Sequence, residues 1–346
     1  MTSRTMDGCI RCGACVRACP VLAQEGREAF PGPRRLVIEA PRFDPHLKAL
    51  KGALYMCTTC GRCEEVCPSR LPLPAALVRM RSIVLEGADR PAGQLRMIRA
   101  IEDSGRAVVP PSSAQSYPSE GDLVFFPGCI AEGRLPGSVA AALRLLEASG
   151  ARPYVPSAWS CCGSPLEKIG ATDQLRKVEA NNKAVLKTSR LVTACPGCTA
   201  QLRAAYGKDA WHIIEHLHAA KISEERFDTS APPMKIALHR PCHLARVVGP
   251  HTIDMVKDIL ESVPGVKVIE HRDQDDCCGG GGGVAASRPE VAEKMARRKL
   301  RSAKDAGADI MIAPCPFCVV NLGRVGTMPV EDLTTFLAGR LDPGQN

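Results

Sequence analysis

Two copies of one cysteine pattern constrain the fold of this chain more than any other feature. Cys9, Cys12, Cys15 and Cys19 precede Pro20 in the spacing CxxCxxCxxxCP, and Cys57, Cys60, Cys63 and Cys67 precede Pro68 in the same spacing. Three thiolates two residues apart wrap one face of a 4Fe-4S cubane on a tight loop, while the fourth, at the start of a helix, reaches the neighbouring cluster. The crossed assignment gives one cubane Cys9, Cys12, Cys15 and Cys67, and the other Cys57, Cys60, Cys63 and Cys19. It sets the two clusters close together. Zinc takes four ligands from two CxxC-like hooks and has no use for the triple spacing.

The chain has 18 cysteines in 346 residues, and the other ten fall into two repeats. Each repeat opens with an apolar strand that runs into a cysteine, DLVFFPGC at Cys129 and MKIALHRPC at Cys242. Each then gives a vicinal pair followed by glycine (Cys161, Cys162; Cys277, Cys278), a charged amphipathic helix, and a strand entering CxxC (Cys195, Cys198; Cys315, Cys318). The equivalent cysteines lie 113, 116, 120 and 120 residues apart, which argues for duplication. Five thiolates exceed what a tetrahedral zinc site needs, and two adjacent cysteines point poorly at one small ion. A larger polynuclear iron-sulfur centre fits better, with zinc in one repeat or metal-free catalytic dithiols as the alternatives.

The length allows two or three domains. Residues 103–120, rich in Pro and Ser, predict a linker, and DTSAPP at 228–233 a shorter break. The expected division is a unit over 1–102, the linker, and repeats over 121–230 and 231–346. Leu47, Leu50 and Leu54, then Leu77, Met80 and Val84 behind Pro74, have helical spacing, so the first unit is expected to be mostly helical. Val139, Leu143 and Leu146 have the spacing of a core helix. Strands alternating with helices predict parallel α/β layers in the repeats, with the cysteines at the carboxyl ends of strands, where ligands collect. The fold class expected is α+β multidomain.

The first residues show no apolar core of a signal peptide, and no stretch approaches the 18 apolar residues of a membrane span. A cytoplasmic location is expected, and reducing thiol pools there favour metal or redox chemistry over disulfides. The net charge is +8, but its Lys and Arg residues are scattered and only 4 Tyr and 7 Phe accompany them, so nucleic-acid binding is not expected. Each thiolate-ligated cubane also adds roughly two negative charges.

The two repeats resemble the cysteine-rich CCG domains of the heterodisulfide reductase family, and the ferredoxin unit before them resembles the arrangement of its D subunit. The resemblance covers nearly the whole chain and extends to GREAFPGPRRL, FFPGCIAEGRLPG, HRPCHLARV, CCGGGGGV and APCPFCVVNL. It implies a noncubane 4Fe-4S cluster on the five cysteines of each repeat, and cleavage of the coenzyme M–coenzyme B disulfide between the two clusters. By that implication Cys242, Cys277 and Cys278 belong to the catalytic centre as well as to the cluster. His243, directly after Cys242, is the first candidate for a proton donor; a hydrogen bond orienting the cluster loop is its structural alternative. His239 lies three residues before Cys242.

Lys168 and Arg246 are weaker candidates for an anionic substrate group, with plain surface exposure as the ordinary reading. The run Gly279 to Gly283 is expected to let backbone approach a cluster or substrate closely. HIIEH, with His212, Glu215 and His216, matches an inverted zinc-protease pattern but is expected to be an ordinary helix. The same design occurs in iron-sulfur subunits that resemble those of glycolate oxidase and anaerobic glycerol-3-phosphate dehydrogenase, where the chain relays electrons. A further alternative is a heterodisulfide-reductase-like protein of sulfur metabolism. No GxGxxG fingerprint follows a strand, so electrons must come from a partner. The resemblance implies a membrane cytochrome b subunit or a soluble flavoprotein, with membrane contact only through that partner.

Overall fold

The computed structural model describes residues 3–43, 46–84, 90–109, 116–188, 190–222 and 226–342. Each repeat forms one four-stranded, wholly parallel sheet. In the first, β1 (Leu123–Phe125), β2 (Pro153–Tyr154), β3 (Arg190–Thr193) and β4 (Asp209–His212) take the order β2-β1-β3-β4. In the second, β5 (Met234–Leu238), β6 (Val266–Ile269), β7 (Ile310–Ala313) and β8 (Val330–Asp332) take the order β6-β5-β7-β8. The register is duplicated as well, since Phe125 pairs with Val192 where Leu238 pairs with Ile312. Helices cover both faces of such sheets, so their central strands are short, continuous apolar runs rather than alternating ones, as LVF and IMIA are here.

The repeats pack through exchanged partners. Helix Pro136–Ala148 of the first lies against Leu333–Ala338 of the second, and Ile213–Ala219 of the first lies against His251–Glu261 of the second. Each contact is the image of the other, the arrangement a two-fold pseudo-axis between duplicated units produces. Val139, Leu143 and Leu146 are buried in this shared core.

The ferredoxin unit is helical. Helix Leu73–Val84 carries Pro74 in its first turn and buries Leu77, Met80 and Val84, as the spacing predicts. The stretch with Leu47, Leu50 and Leu54 is a 3-10 turn (Leu47–Leu50) running into one α turn (Lys51–Leu54), and Leu54 alone of the three leucines is fully buried. Gly52 sits in that α turn and lowers its helix propensity.

One side chain ties the units together. Arg81, 1% exposed, donates to the carbonyl oxygens of Leu54 (2.9 Å), Cys57 (2.6 Å), Lys168 (2.7 Å) and Gly282 (2.8 Å). The guanidinium fork thus bridges the second cubane loop and both repeats. The segment expected as a linker starts inside helix Ala92–Ser104, and its residues 110–115 lie outside the described residues.

Candidate metal centres

The eight ferredoxin cysteines fall into two groups, each lining a small cavity of about 20 Å³. Cys9, Cys12, Cys15 and Cys67 line one, and Cys19, Cys57, Cys60 and Cys63 line the other. These are the crossed sets read from the spacing. Arg11 and Thr59 hold left-handed φ angles of 56° and 53°, and the glycines two residues on, Gly13 and Gly61, hold 76° and 81°. Such curled loops turn backbone N–H groups inward, as the Thr59 N–H shows by donating to Cys57 Sγ at 3.4 Å. Burial pushes the Cys19 thiol up to about 12, and burial with the nearby Cys57, Cys60 and Cys19 thiols pushes Cys63 higher still. Thiols that hinder one another's ionisation in this way are a donor set completed by a polycation, which deprotonates coordinating thiols outright. The residues therefore fit iron-sulfur clusters.

In the repeats the cysteines gather on the chain beyond the carboxyl ends of the strands. Cys129 and Cys242 follow β1 and β5. Cys195 and Cys315 follow β3 and β7 and cap helices Pro196–Tyr206 and Pro316–Gly323, with proline as the first helical residue. Cys198 and Cys318 stand in the first turns of those helices. The thiols touch in one order in both repeats: Cys129, Cys161, Cys162, Cys198, Cys195 in the first and Cys242, Cys277, Cys278, Cys318, Cys315 in the second. Cys278 Sγ and Cys318 Sγ are 3.4 Å apart. Cys161, with Cys198 after it, donates to Cys162 and holds that thiol below its ordinary value against its burial.

The last members of the two series meet. Cys195 and Cys315, equivalent positions of the duplication, are in hydrogen-bond contact on the pseudo-axis, so the two five-thiol groups face each other. All ten line one cavity of about 340 Å³, whose wall also holds Lys168, His243, Arg134 and Arg324. At its far side Cys277 touches Cys60 of the second cubane loop. The first repeat has no such neighbour among the described residues. Its Cys161 N–H bonds Gly105 O at 2.7 Å and its Cys129 thiol takes the Ala107 N–H, so the chain leaving helix Ala92–Ser104 covers that flank.

His243 lies half-buried in the cavity wall with Nδ1 3.5 Å from Cys242 Sγ. Burial, and then the Lys168 charge, push it down to about 4, so the free ring is neutral at pH 7. Lys168 pairs with Glu167 at 2.9 Å and reaches the same cavity. Arg246 is neither a substrate anchor nor a surface residue, because it pairs with Glu65 at 2.8 Å and bonds Asp275 O at 3.0 Å, bracing the second cubane loop against the second repeat. The glycine run behaves as its composition predicts. A Cβ on Gly282 (φ 62°) would stand 2.4 Å from Cys57 O, and one on Gly281 would stand 2.8 Å from Thr58 O.

The HIIEH segment is a helix cap. His212 Nδ1 accepts the Ile214 N–H, Glu215 accepts the His212 N–H and pairs with Arg203, and His216 meets Ser149. Sequence reasoning missed Arg81, which reads as a solvated helix position beside Met80. It also missed Asn182, wholly buried, whose amide holds the Ser160 N–H and the Ser160 and Cys161 carbonyls behind the vicinal pair. An asparagine in a helix otherwise rich in charge left no signal.

A dicluster ferredoxin unit followed by two duplicated cysteine sites defines a class, the iron-sulfur oxidoreductase subunits. The family model described as "4Fe-4S dicluster domain" matches residues 5–71, and that described as "Cysteine-rich domain" matches 123–203 and 236–323. The chain is 33% identical over 341 residues to the B subunit of "Fumarate reductase (CoM/CoB)" of Methanothermobacter marburgensis, spanning 92% of this chain and 68% of that one. It is 28% identical to the D subunit of "Dihydromethanophenazine:CoB--CoM heterodisulfide reductase" of Methanosarcina barkeri, spanning 97% and 94%. A crystal structure of a hypothetical protein from Helicobacter pylori shares the fold, with TM-score 0.57 at 12% identity over 92% of this chain and 70% of that one. The chain belongs to the family of proteins like the heterodisulfide reductase D subunit. Among the described residues no helix is long and apolar enough to cross a membrane.

Proposed function

We propose that this chain is the disulfide-reducing subunit of a larger complex: electrons enter at the ferredoxin unit, and a disulfide of two small thiols is cleaved in the cavity between the repeats. The observation that carries this reading is the single cavity lined by ten cysteines, with Cys195 against Cys315 at its centre and Cys277 against Cys60 at its edge. The first unit, 1–102, would hold the two cubanes on their crossed cysteine sets. The repeats, 121–230 and 231–346, would each hold a noncubane 4Fe-4S cluster on their five cysteines. When bound, these centres supply one-electron transfer and iron to which a substrate sulfur can attach.

The chain's own residues do the rest. The overall change is RS–SR′ + 2e⁻ + 2H⁺ → RSH + R′SH, so one S–S bond breaks and two S–H bonds form. His243 holds a proton at the cavity wall: an emerging substrate thiolate within about 4–6 Å raises the imidazole from its depressed value and makes it a donor. Lys168 sets the second positive charge against an anionic substrate, and Arg134 and Arg324 line the same wall. The glycine run seals the side toward the second cubane. A relative named as one subunit of a reductase supports a partner that delivers electrons, a membrane cytochrome b or a soluble flavoprotein.

The test is anaerobic reduction of the coenzyme M–coenzyme B disulfide by reduced viologen, on protein whose iron and sulfide content is complete. Turnover is the expected result. No turnover with full clusters would assign the chain to electron relay, with the organic substrate met by another subunit.

A further inference from the structure

The duplication places different residues beneath equivalent cysteines. Phe126 and His239 each follow the first strand of a repeat, and each donates its backbone N–H to the third strand, to Val192 O at 2.8 Å and to Ile312 O at 2.9 Å. Both side chains are wholly buried. Phe126 packs edge-on against Trp159, with ring centroids 4.9 Å apart. His239 instead faces two thiols: a ring nitrogen, Cys278 Sγ and Cys318 Sγ all lie within 4.8 Å of one another. Among the described residues neither ring nitrogen of His239 has a hydrogen-bond partner.

A buried imidazole with both nitrogens unpaired carries the full desolvation cost of its polar atoms, so such groups are retained where something else completes them. The neighbouring thiols show what that is. The first repeat assembles the same five cysteines with phenylalanine in this place, so a sixth iron ligand is not required. A neutral imidazole has one N–H to give, and thiolate or sulfide sulfur is its acceptor.

We propose that His239 donates an N–H···S hydrogen bond to the centre of the second repeat, on its Cys278–Cys318 side, and holds that centre at a higher reduction potential than its counterpart. The inference rests on reading both repeats as iron-sulfur sites. A hydrogen bond to sulfur draws electron density away and favours the more negative, reduced state. The buried ammonium of Lys299 acts in the same direction. It occupies the helix position that Asn182 takes in the first repeat, and donates to the carbonyls of Asp273 and Gln274 at 2.6 and 3.0 Å. The consequence is directional. The second repeat is the one whose Cys277 touches Cys60, so electrons arriving from the ferredoxin unit meet the more readily reduced centre first.

The experiment exchanges the two residues. His239→Phe installs the first repeat's own side chain, Phe126→His does the reverse, and His239→Gln keeps an N–H donor. Iron, zinc and acid-labile sulfide are counted in each anaerobically purified full chain, and midpoint potentials are followed by electron paramagnetic resonance. With iron complete, His239→Phe is expected to move one noncubane signal to lower potential and leave the cubane signals in place. His239→Gln is expected to restore part of that shift, and Phe126→His to move the other noncubane signal upward.

Unchanged potentials in His239→Phe at full iron would overturn the proposal. Loss of iron from one repeat in that variant would overturn it in favour of direct ligation. If His239→Phe does not fold, Phe126→His decides, and no upward shift there overturns it. Zinc in the second repeat of the unaltered protein would instead refute the iron-sulfur reading beneath it, a result separable because metal content is measured first.

Discussion

At the scale of single residues, one cap position carries opposite titrations in the two repeats. His212 and Asp332 each end the last strand of a sheet and cap the next helix, His212 accepting from Ile214 and Asp332 from Thr334. Burial pushes His212 down to about 4 and Asp332 up to about 6. For His212 the folded value lies below the unfolded one near 6.5, so protonation favours the unfolded chain. Its contribution is complete above pH 6.5 and is lost as pH falls toward 4. Asp332 has the opposite sign, its contribution being lost as pH rises from about 3.8 to 6. Replacing His212 by Asn keeps the cap and removes the titration. The stability lost between pH 7.5 and pH 5 should then be smaller than in the unaltered protein by about 2 kcal/mol, read from denaturant unfolding at both pH values. His243→Gln is a different kind of change. It should leave iron content intact and lower disulfide turnover roughly a hundredfold, with the alkaline limb of the pH-rate profile altered, because a proton donor loses activity as pH rises through its pKa. A full-rate variant would mean that His243 only orients the Cys242 loop. Cysteine positions were legible in the sequence because metal chemistry fixes their spacing. Asn182 and Arg81 were not, because what defines them is the carbonyl groups that tertiary folding brings to their side chains.

At the scale of elements, the strands were legible and the loops between them were legible by composition alone. LVF, RLVT, MKIAL and IMIA became β1, β3, β5 and β7, each leading within four residues to a cysteine, because apolar runs of that length have to be buried on both faces. The leucines at 47, 50 and 54 show the limit of periodicity, since the spacing is satisfied by a 3-10 turn and an α turn in succession. The glycine run announced a close approach without naming the partner, which is the second cubane loop. Gly282→Ala tests that approach. The added methyl has backbone on its far side, not a flexible side chain, and the left-handed φ adds strain. We expect a loss of about 2–3 kcal/mol in stability together with weakened retention of the second cubane, seen as iron released to a chelator faster than from the unaltered protein. Gly307→Ala, where nothing stands within 4 Å of the new Cβ although φ is 82°, controls for backbone strain alone.

At the scale of the whole molecule, the duplication makes a symmetric cavity, and the ferredoxin unit, which packs on both repeats, breaks the symmetry by bringing Cys60 against Cys277 of the second. Hydrogen-bonded struts hold that docking, among them Arg246 to Glu65 and Lys294 to Glu25 at the rim, and Arg81 at the buried centre, where it joins Cys57, Lys168 and Gly282 carbonyls from three units. Sequence alone indicated the three units but not which repeat meets the cubanes, because that depends on carbonyl groups brought together across more than 200 residues. Arg81→Met keeps the apolar stem and removes every donor, leaving four buried carbonyl oxygens short of a partner. The expected cost is about 3 kcal/mol, and its location is the informative part. If Arg81 fixes the docking, the variant should retain the iron of all its sites yet pass electrons from the cubanes to the repeats more slowly, because the Cys60–Cys277 contact is no longer held. Freeze-quench reduction by a donor that reacts at the ferredoxin unit measures that transfer. An unchanged rate together with a lowered melting temperature would make Arg81 a stabilising residue with no part in the electron path, and would leave the distance to the other struts, Arg246–Glu65 and Lys294–Glu25.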